Sequence, residues 1–299
     1  MRYIVIVNSR AGTVLEAGPE AFSERIEAAF AAHGHEADVR LVHPKELDDA
    51  VALAIDEGGA TTVVAGGDGT INRLLPVLVT ANRPIGILPL GTVNVLGRDL
   101  GLMGTLEDQI EAVCKGAPVA LDVGRVNDRM FHSLSGMGFF SLMAREREYA
   151  RRRFPFSRAV AFAVAATRSI LFTRSLVVDI RLGDRRHVAE SEAVLVTVNE
   201  FDGAEWRRTN LSGGVFEVHI LRSKGLWSRC KAAFSIVTGS WRTSANLTSF
   251  TSSEITLNRR DSRRGHVTFD GEVERRVGKL EYSLLPSAIQ VIAAPQRDI

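Results

Sequence analysis

Cysteine is scarce in this chain: two in 299 residues, Cys114 and Cys230, far apart and without metal-ligand spacing. That excludes a disulfide-stapled module and a zinc finger, and it points to a reducing compartment with both thiols buried. Lysine is nearly as scarce. Only five of the 37 basic residues are lysine, the other 32 being arginine, and none lies between Lys45 and Lys115. A P-loop of the G-x-x-x-x-G-K-[ST] type is therefore missing, and no G-x-G-x-x-G fingerprint replaces it. Aromatic residues are 7% of the chain and are not interleaved with the arginines as an RNA-binding surface would have them, so no nucleic-acid partner is expected. Long apolar runs are missing too. The longest, Ala159–Thr167, falls far short of the ~20 residues of a membrane-spanning helix. Met1 leads directly into strand-like Tyr3–Val7, where a secretory leader would have a charged and then an apolar region.

What remains is an ordinary globular composition, 45% hydrophobic and 24% charged. At ~150 residues per domain the length predicts two domains. The net charge of +2 hides an asymmetry. Residues 1–125 hold 10 basic and 17 acidic side chains, whereas residues 126–299 hold 27 basic and 18 acidic ones.

The first half alternates short apolar strands with helical periodicity, the signature of an open α/β sheet. Strands are expected at Tyr3–Val7, Ala37–Val42, Thr61–Ala65 and Ile85–Leu88. Helices are expected through Phe22–Phe30, Leu47–Ile55 and Ile71–Val79. After about Leu121 the segments become extended and polar-interrupted: Asp122–Val126, Met130–Leu134, Leu176–Leu182, Ala193–Asn199, Val215–Leu221, Glu254–Leu257 and His266–Phe269. An apolar helix near Ala159–Ile170 interrupts them, and Tyr282–Leu285 and Ala288–Ala293 close the chain as strands. The second domain is thus β-rich.

Three constellations could carry chemistry. In Gly66-Gly67-Asp68-Gly69-Thr70 a strand delivers a glycine-rich turn that opens a helix. Glycines let the backbone approach a ligand, the helix N-terminus offers free N–H groups to a phosphate, and Asp68 is placed to hold Mg²⁺ directly or through water. The plainer reading is a tight turn with Asp68 as a helix cap. In Pro89-Leu90-Gly91-Thr92-Val93-Asn94 a second loop follows the next strand. Successive strand ends line one crevice, so Gly91, Thr92 and Asn94 could face the first loop; otherwise Asn94 simply caps a helix. Arg98 reads equally as a phosphate ligand or a surface ion pair. In Phe269-Asp270-Gly271-Glu272 two carboxylates flank a glycine, either as a turn or as an acid–base pair.

Together these motifs resemble the diacylglycerol kinase catalytic-domain family, which also covers sphingosine kinases and related bacterial lipid kinases. The matching pieces are NSRAG at 8–12, GGDGT at 66–70, PIGILPLGTVN at 84–94, DVGRVNDRMFHSLSGMGF at 122–139 and FDGE at 269–272. GGDGT alone is shared with NAD kinases and phosphofructokinases. The resemblance implies an N-terminal nucleotide-binding α/β domain of the NAD kinase/phosphofructokinase fold, residues 1–124, onto which the tail 286–299 packs back. It implies a β-rich, sandwich-like lipid-substrate domain over residues 125–285, with ATP, Mg²⁺ and the acceptor meeting between the two. The activity implied is transfer of the ATP γ-phosphoryl group to a hydroxyl of diacylglycerol or a related lipid. The alternatives are a NAD kinase-like phosphotransferase with a soluble acceptor, and a non-catalytic nucleotide- or lipid-binding regulator.

By the same resemblance Asn8, Gly66, Gly67, Gly69, Thr70, Gly91, Thr92 and Asn94 would bind the nucleotide. Asp68 would be catalytic and bind Mg²⁺, Glu272 would be the general base, and Asp270 a supporting acid and second candidate for the metal. Two departures stand out: Ser9 replaces a usual proline, and Gly213 replaces an acid that holds a structural magnesium in many bacterial members. A kinase of this kind meets its substrate at a membrane surface. Arg145–Arg158, with six arginines and two glutamates, would supply the contact through Arg151, Arg152, Arg153, Phe154 and Phe156, unless it is simply a solvated helix face. The expected location is cytoplasmic and peripheral to an anionic membrane; a homo-oligomer is compatible with the sequence.

Overall fold

The computed structural model describes residues 1–295 except 155–156, 203–206, 209, 223–224, 226, 228, 232–234, 236–237, 244–245, 261–264 and 277. The chain divides into two compact units. One comprises Met1–Val123 with Pro286–Ile299, the other Gly124–Leu285.

In the first unit β1 (Arg2–Asn8), α1 (Gly12–Ala17), α2 (Pro19–Ala32), β2 (Glu36–Val42), α3 (Leu47–Asp56), β3 (Thr61–Gly66), α4 (Asp68–Leu78), β4 (Gly86–Pro89), α5 (Val95–Asp99) and α6 (Leu106–Lys115) follow one another. The four strands form a parallel sheet in the order β2-β1-β3-β4. Ile4, Val5, Ile6 and Val7 are all fully buried, as are Val63, Val64 and Ala65, because helices cover both faces. Helix α2 contributes Phe22, Ile26 and Phe30 to this core, and α4 contributes Leu74 and Leu75.

The tail completes this unit. Ile85 N–H donates to Gln290 O (2.9 Å) and Ile292 N–H donates to Ile85 O (3.0 Å), so Val291 lies parallel beside Ile85. Ser287 N–H donates to the buried Asp122 carboxylate at 2.7 Å. The chain passes between the units twice, within β5 (Ala117–Val126) and again within the last strand.

In the second unit follow β6 (Arg129–Phe131), β7 (Leu134–Gly138), α7 (Phe139–Arg153), α8 (Arg158–Phe172), β8 (Leu176–Leu182), β9 (Arg185–Ser191), β10 (Ala193–Val198), β11 (Phe216–Leu221), β12 (Leu247–Ser252), β13 (Glu254–Arg259), β14 (Gly265–Phe269), β15 (Glu272–Arg276) and β16 (Lys279–Ala293). One six-stranded sheet runs β12-β11-β10-β7-β14-β15 and the other β6-β5-β16-β13-β8-β9. Side chains from both sheets share one core, with Phe131 at the centre of an aromatic cluster. Its ring centroid lies 6.1 Å from those of Phe216 and Tyr282 and 6.2 Å from that of Phe269. Strand β10, apolar except for Thr197, is buried on both faces because α7 packs across β7, β10, β14 and β15. The N-terminal parallel α/β domain and the β-rich second domain are as the sequence implies.

Two expectations need correction. Cys114 is only partly buried and Cys230 is exposed. The strand expected over Met130–Leu134 is broken at His132 and Ser133, whose amides turn aside to a carboxylate. Helix α7 also begins as early as Phe139 and carries the arginine-rich run through Arg153.

The carboxylate that breaks the strand is Asp270. It sits in the two-residue β14–β15 hairpin, where Asp270 (φ 49°) and Gly271 (φ 90°) both take the positive φ such a turn demands. Its side chain, 1% exposed, accepts N–H bonds from His132 (2.8 Å), Ser133 (2.9 Å) and Leu134 (2.9 Å), and the Ser133 hydroxyl at 2.6 Å. Burial pushes its pKa up, but the neighbouring His132 ring and these donors outweigh burial and hold it below the ordinary value. The stability it contributes is therefore fully present above about pH 3.9 and is lost as the pH falls through its lower folded value. Asp270→Asn should cost about 2–4 kcal/mol at neutral pH and flatten part of the acid limb of a melting-temperature profile against pH. An unchanged acid limb would contradict this role.

Candidate functional site

In the parallel sheet the chain leaves β1 towards β2 and then crosses to β3 on the other side. The crevice at the carboxyl ends of β1 and β3 is thus a topological switch point, the usual ligand position in such sheets. Residues 8–12, 66–70 and 89–94 all emerge there.

Each loop is pinned by its own polar side chains. Asn8 Oδ1 accepts the Arg10 N–H (3.0 Å), while its Nδ2 donates to Thr70 Oγ1 at 2.8 Å. Leu90 N–H donates to Gly66 O (2.9 Å), and Thr13 Oγ1 donates to Leu90 O (3.1 Å). Asn94 has left-handed backbone geometry (φ 50°) and is buried. Its Oδ1 accepts the Gly91 N–H (2.8 Å), and its Nδ2 donates to Gly91 O (2.9 Å) and to Pro89 O (3.3 Å). Asn8 and Asn94 therefore shape their loops.

Asp68 ties the two glycine loops together. It is the first residue of α4, where a negative charge suits the helix dipole. Its carboxylate reaches across to the start of α5, accepting the N–H of Asn94 (2.9 Å) and of Val95 (2.8 Å). The loops meet backbone to backbone: a Cβ on Gly91 would lie 2.9 Å from the Gly67 Cα and 2.6 Å from Asn94 Oδ1. Only glycine at both positions permits this approach. The Gly69 amide, in the first turn of α4, has no intrahelical acceptor, and the neighbouring Gly91 and Thr92 are exposed. The arrangement can take a phosphate chain on backbone N–H groups without a P-loop lysine. Arg98 is exposed and has no ion-pair partner among the described residues.

The half-buried Asp68 carboxylate is a hard oxygen donor at the mouth of the crevice and fits a hydrated Mg²⁺. Asp270, the other candidate, does not fit one. Its side chain is 1% exposed and accepts four donors of the β6–β7 turn, whereas Asp68 is only half-buried, so Asp270 takes a positioning role for that turn.

Asp270 and Glu272 belong to the second unit and differ sharply. Glu272 is about half exposed and meets Arg129 Nη2 at 2.9 Å. Partial burial raises its pKa; Arg129 opposes this, while Asp270 and Glu274 add to it. The net upward shift suits a proton acceptor working nearer neutral pH. Arg129 also pairs with Glu274 (3.0 Å). Sequence reasoning missed Arg129, whose only signal is its register beside the hairpin, and it missed His132 and Ser133, hidden in an apparent strand.

Of the surface residues, Arg153 and Phe154 are exposed at the end of α7. The side chains of Arg151 and Arg152 and all of Phe156 lie outside the described residues. Gly213 faces Asn199 Oδ1, which would be 2.9 Å from a Cβ there, so the carbonyl of Asn199 stands close to where an acid would project. No described helix is long and apolar enough to cross a membrane.

Residues 2–126 match the family described as the diacylglycerol kinase catalytic domain, and the resemblance drawn from the motifs holds for that stretch. A diacylglycerol kinase of Staphylococcus saprophyticus is 35% identical over 89 residues, 29% of this chain and 29% of that protein. A YegS-like lipid kinase of Yersinia enterocolitica is 35% identical over 98 residues, 31% of this chain and 32% of that protein. The matched stretch thus spans about a third of these curated relatives. A diacylglycerol kinase structure from Bacillus anthracis superposes with a TM-score of 0.64 at 18% identity, covering 98% of this chain and 97% of the other. That likeness extends the shared fold to both units.

The glycine contact predicts a sharp contrast. Gly91→Ala should destabilise the protein by about 1–3 kcal/mol in thermal unfolding, because neither the Gly67 backbone nor Asn94 can yield cheaply. Gly12→Ala, with nothing within 4 Å of its added Cβ, should stay within about 0.5 kcal/mol.

Proposed function

We propose that this chain is a lipid kinase that transfers the γ-phosphoryl group of ATP to a hydroxyl of diacylglycerol or a related lipid. The observation that carries the reading is the pair of glycine loops held together by Asp68 at the carboxyl ends of β1, β3 and β4. The catalytic-domain match over residues 2–126 supports it.

In this reading the first-turn Gly69 amide of α4 and the backbone at Gly91 and Thr92 bind the nucleotide phosphates, while Asn8, Thr70 and Asn94 keep the loops in shape. Asp68 would hold Mg²⁺ through water, and the bound ion supplies charge neutralisation at the transferred phosphoryl group. Glu272 takes the proton from the acceptor hydroxyl. A lipid hydroxyl is a poor nucleophile, so orientation against the phosphate contributes more than full deprotonation. Asp270 fixes the turn that backs this hairpin. The protein works at the cytoplasmic face of a membrane, with Arg153 and Phe154 among its contacts: arginines attract anionic headgroups while the aromatic ring enters the interface.

Incubation with Mg²⁺, labelled ATP and micelles carrying diacylglycerol, a sphingoid base or phosphatidylglycerol should label one lipid of the panel. Asp68→Asn should lower transfer at least about 100-fold. Labelling of a soluble acceptor in place of every lipid would overturn the reading. Glu272→Gln should lower kcat and remove the limb on which rate rises with pH through the raised carboxyl pKa.

Vesicle binding tests the surface role separately. Sedimentation with anionic vesicles should weaken as salt rises. Equal binding to neutral vesicles would exclude the electrostatic part.

A further inference from the structure

The second unit contains a cavity of about 410 Å³ that the proposed reaction does not use. It opens at the far ends of β7 and β14 from the Asp270 hairpin. Gly138, the last residue of β7, and Gly265 and His266, the first two of β14, line it. Four residues of strand, roughly 14 Å, separate Gly265 from the hairpin end of β14. Helix α7 supplies Arg145, the segment after α8 supplies Arg174 and Ser175, and β13 supplies Arg259.

The charge in this cavity is of one sign. Among the described residues lining it there is no acid. Arg145 touches one carboxylate, Glu146 (3.1 Å), but Glu146 is only 7% exposed, is shared with Arg168 (2.5 Å) and does not line the cavity. Arg174 is exposed at the rim and pairs with no described carboxylate. The guanidinium of Arg259 lies over Gly265, where a Cβ would find no room. The half-buried His266 ring reports the resulting field. Burial lowers its pKa, and repulsion from Arg145 on α7, Arg275 on β15 and Arg259 on β13 lowers it further. Guanidinium groups gathered around one cavity repel one another, and an anion placed among them relieves that cost.

We propose that this cavity is a phosphate-binding site, separate from the nucleotide loops, in which Arg145, Arg174 and His266 hold the phosphate oxygens. A phosphate offers the charge and the planar pairs of acceptors that guanidinium forks match. Ser175 stands beside them with a further donor. The cavity is larger than a phosphate alone, and Leu142 and the exposed Phe172 give one wall an apolar character suited to the ester substituent of a phospholipid headgroup.

Calorimetric titration of the whole chain with inorganic phosphate, glycerol 3-phosphate and monomeric dihexanoyl phosphatidic acid tests the site and its source of phosphate. All three should bind. A phosphatidic acid affinity at least tenfold above that of phosphate assigns the site to a lipid headgroup, and equal affinities assign it to free phosphate. Arg174→Gln and His266→Gln should each weaken binding about tenfold, the loss expected for one charge-assisted hydrogen bond. Asp68→Asn, which alters the nucleotide loops, should leave it unchanged. Phosphate should also raise the His266 pKa followed by NMR, an effect that a merely structural imidazole would not show. No binding, or binding abolished by Asp68→Asn and untouched by Arg174→Gln, would overturn the proposal.

Discussion

The first unit depends on one carboxylate placed between two helix starts. Asp68 belongs to α4 by sequence and to α5 by hydrogen bonding. Because its oxygens take the amides of Asn94 and Val95, the two loops must approach until their backbones touch. That contact requires glycine at 67 and 91 and a left-handed residue at 94. A helix cap and a ligand site are therefore not alternatives here. The carboxylate holds the start of α4 against the neighbouring loop.

The second unit uses carboxylates in opposite ways across a single glycine. Asp270 is saturated, buried and held in its charged form; Glu272 is half exposed and shifted towards protonation. Environments that separate the pKa values of two adjacent acids allow one to fix structure while the other exchanges protons. Sequence alone treats the two as equivalent, since both flank Gly271.

The parallel sheet was legible because its strands are buried on both faces and so read as unbroken apolar runs ending in glycine turns. The same logic located the loops at residues 66–70 and 89–94. What the loop side chains do was not legible. Asn8 and Asn94 have the composition of ligands, but their amides are consumed within about five residues of sequence or by Thr70. In the second unit, β9 carries exposed charge at a sheet edge and gives little alternation. Helix α7 was obscured by its arginines, of which Arg145, Arg147 and Arg153 are exposed. The break at His132 and Ser133 could not be read locally, because the acceptor that causes it, Asp270, lies 137 residues beyond Ser133. The positive cavity was invisible for the same reason: Arg145, Arg174 and His266 come from three separate segments.

The pairing of Ile85 with residues 290–292 makes the first unit discontinuous in the chain. Its sheet begins with β1, while the backbone of Ile85, just before β4, is paired only by residues 290–292. During synthesis the glycine loops can form early, but the edge at Ile85 stays unsealed until some 160 intervening residues of the second unit have been made. Completion of the first unit is thus coupled to translation of the second, so a product truncated before residue 290 keeps an open strand edge.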